Sequence, residues 1–295
     1  MRENGPVTSA TRQPATPTAA VPPRLIATDL DGTLLRDDKS VSPRTVAALA
    51  AAEKAGIEVF FVTGRPARWM DVVSDHVHGH GLAICGNGAA VVDLHGGPGT
   101  HRFVKVRALA RDNAVDAVRL LRDAAPDTVY AIEQTYGFHQ EPAYPYVHME
   151  VPDTLLSAER ILAAGGPGGD QPVLKILAYH PALEPDAFLT LARLAVGERA
   201  TVTRSSPSAL LELSGPGVSK ASTLALCCAE RGISPDEVVA FGDMPNDVEM
   251  LTWAGRSYAM GNAHPDVIAA ASGRTDANNE DGVAVVIERL LAERR

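Results

Sequence analysis

The sequence predicts an α/β protein in which an inserted α+β domain interrupts a parallel-sheet core. Both ends of the chain repeat the order strand, helix, strand with short connections, which is the pattern of a parallel sheet covered on both faces. The middle of the chain instead mixes hairpin-like and helical segments. Acidic turns follow two of the predicted core strands, so the fold prediction also locates the candidate chemistry.

The first part of the core begins at about Arg24 and alternates strands with a helix. Ser42 and Pro43 form an N-cap and first-turn pair, and Gly56 follows the apolar face of the predicted helix. Short apolar runs on both sides of this helix are typical of buried parallel strands. The predicted strands are residues 25–28, 57–62 and 82–85.

The last part of the core repeats the same order. A helix is predicted over about residues 219–231, and an apolar strand over 238–241 follows it. A further strand is predicted over 257–260, with a helix from Pro265 after it. The chain closes with an amphipathic helix from about Asp281.

The middle of the chain, residues 91–205, is predicted to be the inserted α+β domain. This leaves residues 24–90 and 206–295 as the core. Within the insert, an apolar run over 173–179 predicts a strand, and the spacing over 186–195 predicts a helix.

Residues 1–23 differ from the rest of the chain in composition. They contain five prolines with several Thr and Ala, and they show no apolar periodicity. Such a segment cannot bury enough apolar surface to offset the entropy of ordering it. We expect a disordered tail, either dispensable or a docking arm for a partner.

Composition excludes several classes of protein. Hydrophobic residues make up 45% and charged residues 21% of the 295, which suffices for a full core without disulfides or structural metals. The longest apolar run is far shorter than the ~20 residues of a bilayer span. Because no dense Lys/Arg run is present either, we expect neither a membrane nor a nucleic-acid partner. Three unpaired cysteines and the lack of a signal segment indicate a cytoplasmic protein.

Carboxylates follow two of the predicted strands. Asp29 and Asp31 lie in the turn after the first strand, and Asp243 and Asp247 follow the strand over 238–241. Ligands of open α/β sheets bind beyond the carboxyl ends of the strands, so we expect these side chains to share a site. Alone, the first pair could also be a plain turn or a glycosyltransferase metal site. Together the carboxylates favour a hard cation such as Mg²⁺.

Two further segments supply groups that can bind an anion. Thr63 and Gly64 follow the second strand and offer a hydroxyl and a backbone N–H. Lys220 lies at the start of the helix before the second acidic turn, where its ammonium can bridge a carboxylate and a phosphate oxygen. Neighbouring like charges are expected to separate the pKa values of Asp29 and Asp31, so that one is anionic and the other holds a proton.

These four segments, in this order, resemble the motifs of the haloacid dehalogenase-like hydrolase superfamily. Their layout is similar to its Cof-type branch, in which a large cap lies between the second and third motifs. Only the stretch between Thr63 and Lys220 is long enough for such a cap. Ala221 departs from the pattern, because the branch usually has Gly there. Further similarity is found at 86–89, 261–263 and 279–284. The resemblance covers about residues 24–295 and implies a Rossmann-like core with an α+β cap.

The resemblance also implies a Mg²⁺-dependent phosphatase of small phosphorylated metabolites. Asp29 would attack phosphorus and form an aspartyl-phosphate, and Asp31 would act as general acid and then general base. The implied metal ligands are the Asp29 carboxylate, the Asp31 backbone carbonyl and Asp243. The implied phosphate ligands are Thr63, Gly64, Lys220 and Asn246, and Asp247 would orient the metal waters or Lys220.

Two other functions stay open on the sequence alone. A phosphomutase or phosphotransferase of the same superfamily would share the aspartyl-phosphate but pass the group to a sugar. A non-catalytic sensor of a phosphorylated ligand would lack Asp29 or Asp31, and both are present. We expect cap side chains to select the substrate, and the protein to be a monomer or a homodimer.

Other polar clusters have simpler explanations than a second site. His76, His78 and His80 could bind Zn²⁺ or Cu²⁺ on a strand, but we expect a solvated loop there. Cys227 and Cys228 are adjacent, so a disulfide between them would be strained, and we expect them to fill a helix core.

Three further side chains are interpreted through packing. Trp69 and Met70 are expected to be core residues rather than a platform for substrate. Lys175 stands alone in the apolar run over 173–179, where it could snorkel at a strand edge or face the substrate from the cap.

Overall fold

The computed structural model describes residues 21–74, 81–97, 99–145, 151–205 and 208–294. The three histidines of the predicted solvated loop lie outside the described residues, as does all but the end of the predicted disordered tail. No helix in the described part of the chain is both long and apolar enough to cross a membrane.

The strands of the described residues form two sheets, one of eight strands and one of six. In chain order the strands are β1 (Leu25–Thr28), β2 (Glu58–Val62), β3 (Leu82–Cys85), β4 (Ala90–Asp93), β5 (Arg102–Val106), β6 (Val129–Gln134), β7 (Gly137–Gln140), β8 (Thr154–Leu155), β9 (Val173–Tyr179), β10 (Thr201–Thr203), β11 (Leu210–Ser214), β12 (Val238–Gly242), β13 (Arg256–Ala259) and β14 (Gly273–Arg274). The α-helices are α1 (Pro43–Lys54), α2 (Asp71–Ser74), α3 (Arg111–Ala124), α4 (Ala158–Leu162), α5 (Pro185–Val196), α6 (Lys220–Glu230), α7 (Val248–Trp253), α8 (Pro265–Ala270) and α9 (Gly282–Glu293).

The eight-stranded sheet has the order β14-β13-β12-β1-β2-β3-β4-β5. The strands from β14 to β3 pair in parallel, and β4 and β5 extend the sheet in antiparallel pairing. On one face α1 and α9 contribute Leu49 and Ile287 to a buried cluster. On the other face α6 and α8 contribute Leu224 and Val267 to a second cluster. The predicted parallel sheet, covered on both faces, is therefore confirmed.

Local capping explains where two helices of the core begin. The Ser42 hydroxyl accepts a 3.0 Å hydrogen bond from the Thr45 N–H, and α1 starts at the following proline. At α6 the Ser219 hydroxyl accepts from the Ser222 N–H while the Ser222 hydroxyl accepts from the Ser219 N–H, which is a capping box. This cap makes Lys220 the first residue of α6.

The six-stranded sheet has the order β10-β11-β9-β6-β7-β8 and is antiparallel except between β7 and β8. The helices α3, α4 and α5 pack on one face through a cluster that includes Leu121, Ile161 and Phe188. The other face carries Phe138 and Leu177 and is turned toward the loops that follow β2 and β3. The inserted segment is thus an α+β unit placed over one edge of the first sheet.

The chain passes from the first sheet to the second, and back, at positions other than the predicted cap boundaries 91 and 205. The hairpin of β4 and β5 continues the pairing of β3, so the first sheet extends to Val106. The strand β11 pairs with β9 and β10, so the second sheet extends to Ser214. On this criterion we propose that the cap lies between Val106 and Ser214.

The cysteines and one predicted core residue are buried as expected. Cys85, Cys227 and Cys228 are free and buried, and the last two pack in the cluster around α6. Met70 is fully buried in the cluster under α1. Its neighbour Trp69 is only partly buried.

Candidate active site

The carboxyl ends of three neighbouring strands meet at one edge of the first sheet. Because β1 lies between β2 and β12, the turns that follow these strands are adjacent. These turns carry Asp29 and Asp31 after β1, Thr63 after β2, and Asp243 after β12. Lys220 reaches the same place from the first turn of α6. The structure therefore brings together the side chains that the strand order predicted to meet.

Three buried carboxylates form what we call the acidic floor: Asp29, Asp243 and Asp247. Each offers an oxygen within 4.8 Å of the other two. Their residues are 5%, 6% and 0% exposed. The ammonium of Lys220 donates to Asp29 Oδ1 and Asp247 Oδ1, each at 2.7 Å. One cation against three carboxylates leaves a local excess of negative charge.

Burial raises the pKa values of two floor carboxylates. For Asp29 burial is the largest cause; Lys220 opposes it, and repulsion by Asp247 and Asp243 raises the pKa further. Burial and then Asp247 raise the pKa of Asp243 to about 7, against a 2.9 Å hydrogen bond from Thr33 Oγ1. Burial lowers the pKa of Lys220, but Asp247 and Asp29 outweigh this and raise it above its usual value. Lys220 is therefore cationic.

The donor set of the acidic floor fits a hard divalent cation. Three carboxylates in a dry site cannot all be anionic without additional positive charge. The oxygens of Asp247 are already used, Oδ1 by Lys220 and Oδ2 by the backbone N–H groups of Asp243 and Met244, both at 3.1 Å. Asp29 and Asp243 are left to bind an ion, and one or two carboxylates are what Mg²⁺ sites use. Asp247 instead accepts a hydrogen bond from Lys220.

A glycine in the first acidic turn allows this close approach. Gly32 has φ +75°, a conformation that side chains rarely adopt. A Cβ atom there would lie 2.3 Å from Asp243 Oδ2. Any larger residue at this position would displace the Asp243 carboxylate from its place beside the first acidic turn.

Asp31 has surroundings opposite to those of Asp29. Its side chain is 40% exposed and accepts from Arg65 Nε at 2.6 Å, from the other end of the Arg65 guanidinium at 2.7 Å, and from Lys39 Nζ at 2.9 Å. Partial burial raises its pKa, but Arg65 and then Lys39 outweigh this and lower it to about 2. The pKa values of Asp29 and Asp31 are separated, as predicted. The cause is different surroundings rather than repulsion between the two, and Asp31 is the anion.

Of the predicted phosphate ligands, Lys220 contacts Asp29, and the other three line the same cavity as Asp29. Thr63 is 1% exposed, and its hydroxyl oxygen accepts from the Arg65 N–H at 3.0 Å, which leaves its own O–H as a donor. The carbonyl of Gly64 accepts from Lys175 Nζ at 2.8 Å. The amide of Asn246 donates to Asn87 Oδ1 at 3.0 Å. Thr63, Gly64 and Asn246 line the cavity described next.

A cavity of about 530 Å³ lies between the acidic floor and the cap. Its volume is in the range of sites that bind small organic molecules. Its apolar wall includes Pro66, Trp69 and Met244 from the core and Phe138, Tyr144, Pro145, Leu177 and Leu210 from the cap. The prediction that Trp69 belongs to the core is therefore wrong, because this residue is only partly buried and lines the cavity. Asp29 and Asp31 line the cavity as well.

Sequence reasoning missed several charged partners. Arg65 directly follows Thr63 and Gly64 in the second motif, and that position was the available signal for its pairing with Asp31. Lys175 is 4% exposed and pairs with Glu212, so snorkelling at a strand edge is ruled out for it. A single charge inside each of two apolar strand runs, β9 and β11, was the signal for this second pair.

Comparisons with known proteins agree with this arrangement. A family model for haloacid dehalogenase-like hydrolases matches residues 26–287. YxeH of Bacillus subtilis (strain 168), whose name describes a phosphatase, is 30% identical, and the match covers 91% of this chain and 98% of YxeH. The 5-amino-6-(5-phospho-D-ribitylamino)uracil phosphatase YcsE of the same strain is 27% identical over 91% of this chain and 96% of YcsE. The structure of a haloacid dehalogenase-like hydrolase from B. subtilis has a TM-score of 0.77 at 26% identity, covering 90% of this chain and 99% of that one. The matched region includes both sheets and every loop of the site.

Proposed function

This chain belongs to the haloacid dehalogenase-like hydrolase family, and we propose that it hydrolyses small phosphomonoesters through a phosphorylated Asp29. It is a phosphatase of the Cof type. One observation carries the mechanistic proposal: Asp29 contacts the buried Lys220 at the base of a cavity with an apolar wall. A carboxylate nucleophile and a fixed cation then meet the same phosphoryl group.

Attack requires Asp29 as an anion, and a cation bound beside it would oppose the repulsion that raises its pKa. In the first step an oxygen of the Asp29 carboxylate forms a bond to phosphorus. The bond from phosphorus to the ester oxygen breaks, and the leaving alcohol takes a proton from Asp31. In the second step Asp31 removes a proton from a water molecule that attacks phosphorus. The bond to Asp29 breaks and inorganic phosphate is released. Asp29 is then a carboxylate again, and Asp31 again carries a proton.

Asp31 must gain a proton before it can act as an acid, because Arg65 and Lys39 hold it as an anion. A phosphoryl dianion in the cavity competes with Asp31 for the Arg65 guanidinium. Weakened pairing raises the pKa of Asp31, so that it can hold a proton when substrate is bound. Binding of substrate and readiness of the acid are thereby linked.

Mg²⁺ is the proposed cofactor, held by the carboxylates of Asp29 and Asp243 and by the backbone carbonyl of Asp31. When bound, the ion neutralises the negative charge of the floor and of the phosphoryl oxygens. Lys220 and the Thr63 hydroxyl donate to phosphoryl oxygens. The Asn246 amide nitrogen carries two hydrogens, and the one not used by Asn87 can do the same.

The substrate proposed is a metabolite with an organic group that fits the apolar wall, such as a sugar phosphate or a similar ester. The test is phosphate release from a panel of sugar phosphates, nucleotides, flavin mononucleotide, pyridoxal phosphate and 5-amino-6-(5-phospho-D-ribitylamino)uracil, with Mg²⁺ present. We expect at least one ester to release phosphate catalytically. Isomerisation of a hexose phosphate without phosphate release would instead show a mutase, and binding without turnover would show a sensor.

A further inference from the structure

The cap carries a buried ion pair that faces the catalytic core. Lys175 lies on β9 and Glu212 on the neighbouring β11, and both residues are 4% exposed. The Lys175 ammonium donates to Glu212 Oε2 at 3.0 Å. Burying two charges costs desolvation energy that their attraction only partly offsets, so such a pair adds little to stability compared with apolar residues. The cap sheet did not need these charges for its own packing.

Both members of this pair also contact the core. Lys175 donates to the Gly64 carbonyl at 2.8 Å, across the boundary between the two sheets. The Asn87 amide donates to Glu212 Oε2, the oxygen that Lys175 also contacts. Asn87 Oδ1 in turn accepts from Asn246 Nδ2 at 3.0 Å. A continuous chain of hydrogen bonds therefore runs from the cap to two of the loops proposed to bind phosphate.

The core loop that contains Asn87 is itself bonded to the turn after β2. The backbone N–H of Asn87 donates to the Thr63 carbonyl at 3.0 Å, and the N–H of Gly86 donates to the Arg65 carbonyl at 2.9 Å. Asn87 has φ 54°, in the left-handed region that residues other than glycine rarely adopt. Its side chain is fixed at both ends, by Glu212 and by Asn246. These contacts connect the cap pair to Thr63 and Asn246 through Asn87.

We propose that Lys175 and Glu212 are positioning residues: the pair holds Gly64 and, through Asn87, Asn246 in the arrangement that phosphoryl transfer requires. The cap thus supports the chemistry of the core in addition to contacting the organic part of the substrate. This inference rests on the proposed phosphatase mechanism. Small displacements of groups that orient the reacting atoms cost about 10²-fold in rate, so the effect on turnover should be large.

The test uses Lys175→Met, Glu212→Gln and the double variant in the full-length protein. A matched control is Glu141→Gln, because Glu141 is a buried cap glutamate paired with Arg122 and does not line the cavity. Each variant is assayed with p-nitrophenyl phosphate and with the best ester of the panel, well below its Tm. Binding of inorganic phosphate is measured by calorimetry with Mg²⁺ present.

Each single variant should lower kcat/KM by roughly 10- to 100-fold on both esters alike, because the phosphoryl group is common to them. In the double variant both buried charges are gone, so Tm should recover toward the wild type while kcat/KM stays low. Phosphate binding should weaken at least tenfold in all three. Glu141→Gln should lower Tm but keep kcat/KM within about twofold.

Two results would overturn the positioning role. Recovery of the wild-type rate in the double variant would show that the pair is only structural. A loss confined to the larger ester would show that Lys175 or Glu212 recognises the organic group. If wild-type protein hydrolyses nothing, the proposed function fails, and unchanged phosphate binding in the variants would then separately reject the positioning role.

Discussion

The acidic floor and the Lys175–Glu212 pair are two buried charge clusters that face one cavity from opposite sides. The floor has three carboxylates against one ammonium, whereas the cap pair is balanced. An unbalanced cluster requires protons or a bound cation, and its charge therefore depends on pH and metal. In the balanced pair each charge has an oppositely charged partner at hydrogen-bond distance, so the pair can fix geometry. The floor is suited to chemistry and the cap pair to positioning.

The largest effect is expected from removing one charge of the floor. Asp29→Asn keeps the shape of the side chain but removes the nucleophile, so turnover should fall by roughly 10⁴-fold or more. Relief of repulsion by Asp243 and Asp247 should offset the weakened contact with Lys220, which keeps Tm close to that of the wild type. Steady-state phosphate release and thermal unfolding measure the two effects. Residual turnover within tenfold of the wild type, in protein free of contaminating phosphatase, would reject Asp29 as the nucleophile.

Metal removal should have the next largest effect and should act on the floor alone. The charge neutralisation that a bound ion gives to the transition state is worth several kcal/mol, so EDTA should lower turnover by about 10³-fold. Added Mg²⁺ should restore it, and Ca²⁺ should oppose it because its coordination is larger and looser. Turnover is measured after dialysis against EDTA, with and without each ion. An unchanged rate in EDTA would refute the metal role of Asp29 and Asp243.

A smaller effect, dependent on the substrate, is expected at Asp31, which belongs to neither cluster. Asp31→Asn should lower turnover of an ordinary alkyl ester by roughly 10²-fold, because general acid–base catalysis is lost. Mg²⁺ binding should persist, since the proposed ligand is the backbone carbonyl. Pre-steady-state kinetics of the first half-reaction should show a smaller loss with p-nitrophenyl phosphate, whose leaving group needs little protonation. Equal losses on both esters would mean that Asp31 is not the acid.

The parts of the candidate site that could be predicted from sequence follow from strand order. Each motif directly follows a short apolar run, so the end of the strand fixes where its side chains lie. Asp29, Thr63 and Asp243 meet because β1 lies between β2 and β12, and parallel sheets bind ligands at that edge. The Ser219 cap similarly explains how Lys220 reaches the site.

The cap contacts depend on how two sheets face one another, which no local pattern describes. Glu212 was not identified at all, and Trp69 was assigned to the core. The pairing of Arg65 with Asp31 was missed for a related reason, because it joins turns after two different strands. The boundary at 91 differs from the change of sheet because the hairpin of β4 and β5 extends the first sheet, although a hairpin is typical of either domain. The boundary at 205 differs because β11 pairs with β9 and β10 of the second sheet.

The smallest expected effect is on the stability of the metal-free protein, and its dependence on pH distinguishes the floor from the cap pair. The pKa of Asp243 is raised from 3.8 to about 7 in the folded protein, so the folded state binds more protons than the unfolded chain between these values. Stability from this group is fully present below the unfolded pKa and is lost as pH rises toward the folded pKa. Asp29 acts in the same direction. Asp31, with its pKa lowered to about 2, has the opposite effect, but only between about pH 2 and 4.

Thermal unfolding in EDTA at pH 5 and pH 7.5 tests this difference. We expect Tm to fall by several degrees at the higher pH, since each kcal/mol corresponds to roughly 2–4 °C for a chain of this size. Mg²⁺ should raise Tm more at pH 7.5 than at pH 5, because the cation takes the place of protons on Asp29 and Asp243. Asp243→Asn should flatten the dependence on pH. The double variant Lys175→Met with Glu212→Gln should keep it, because that variant retains every carboxylate of the floor. A Tm that rises from pH 5 to pH 7.5 without metal would show that the acidic floor has no excess of negative charge. The proposed difference in charge between the floor and the cap pair would then be rejected.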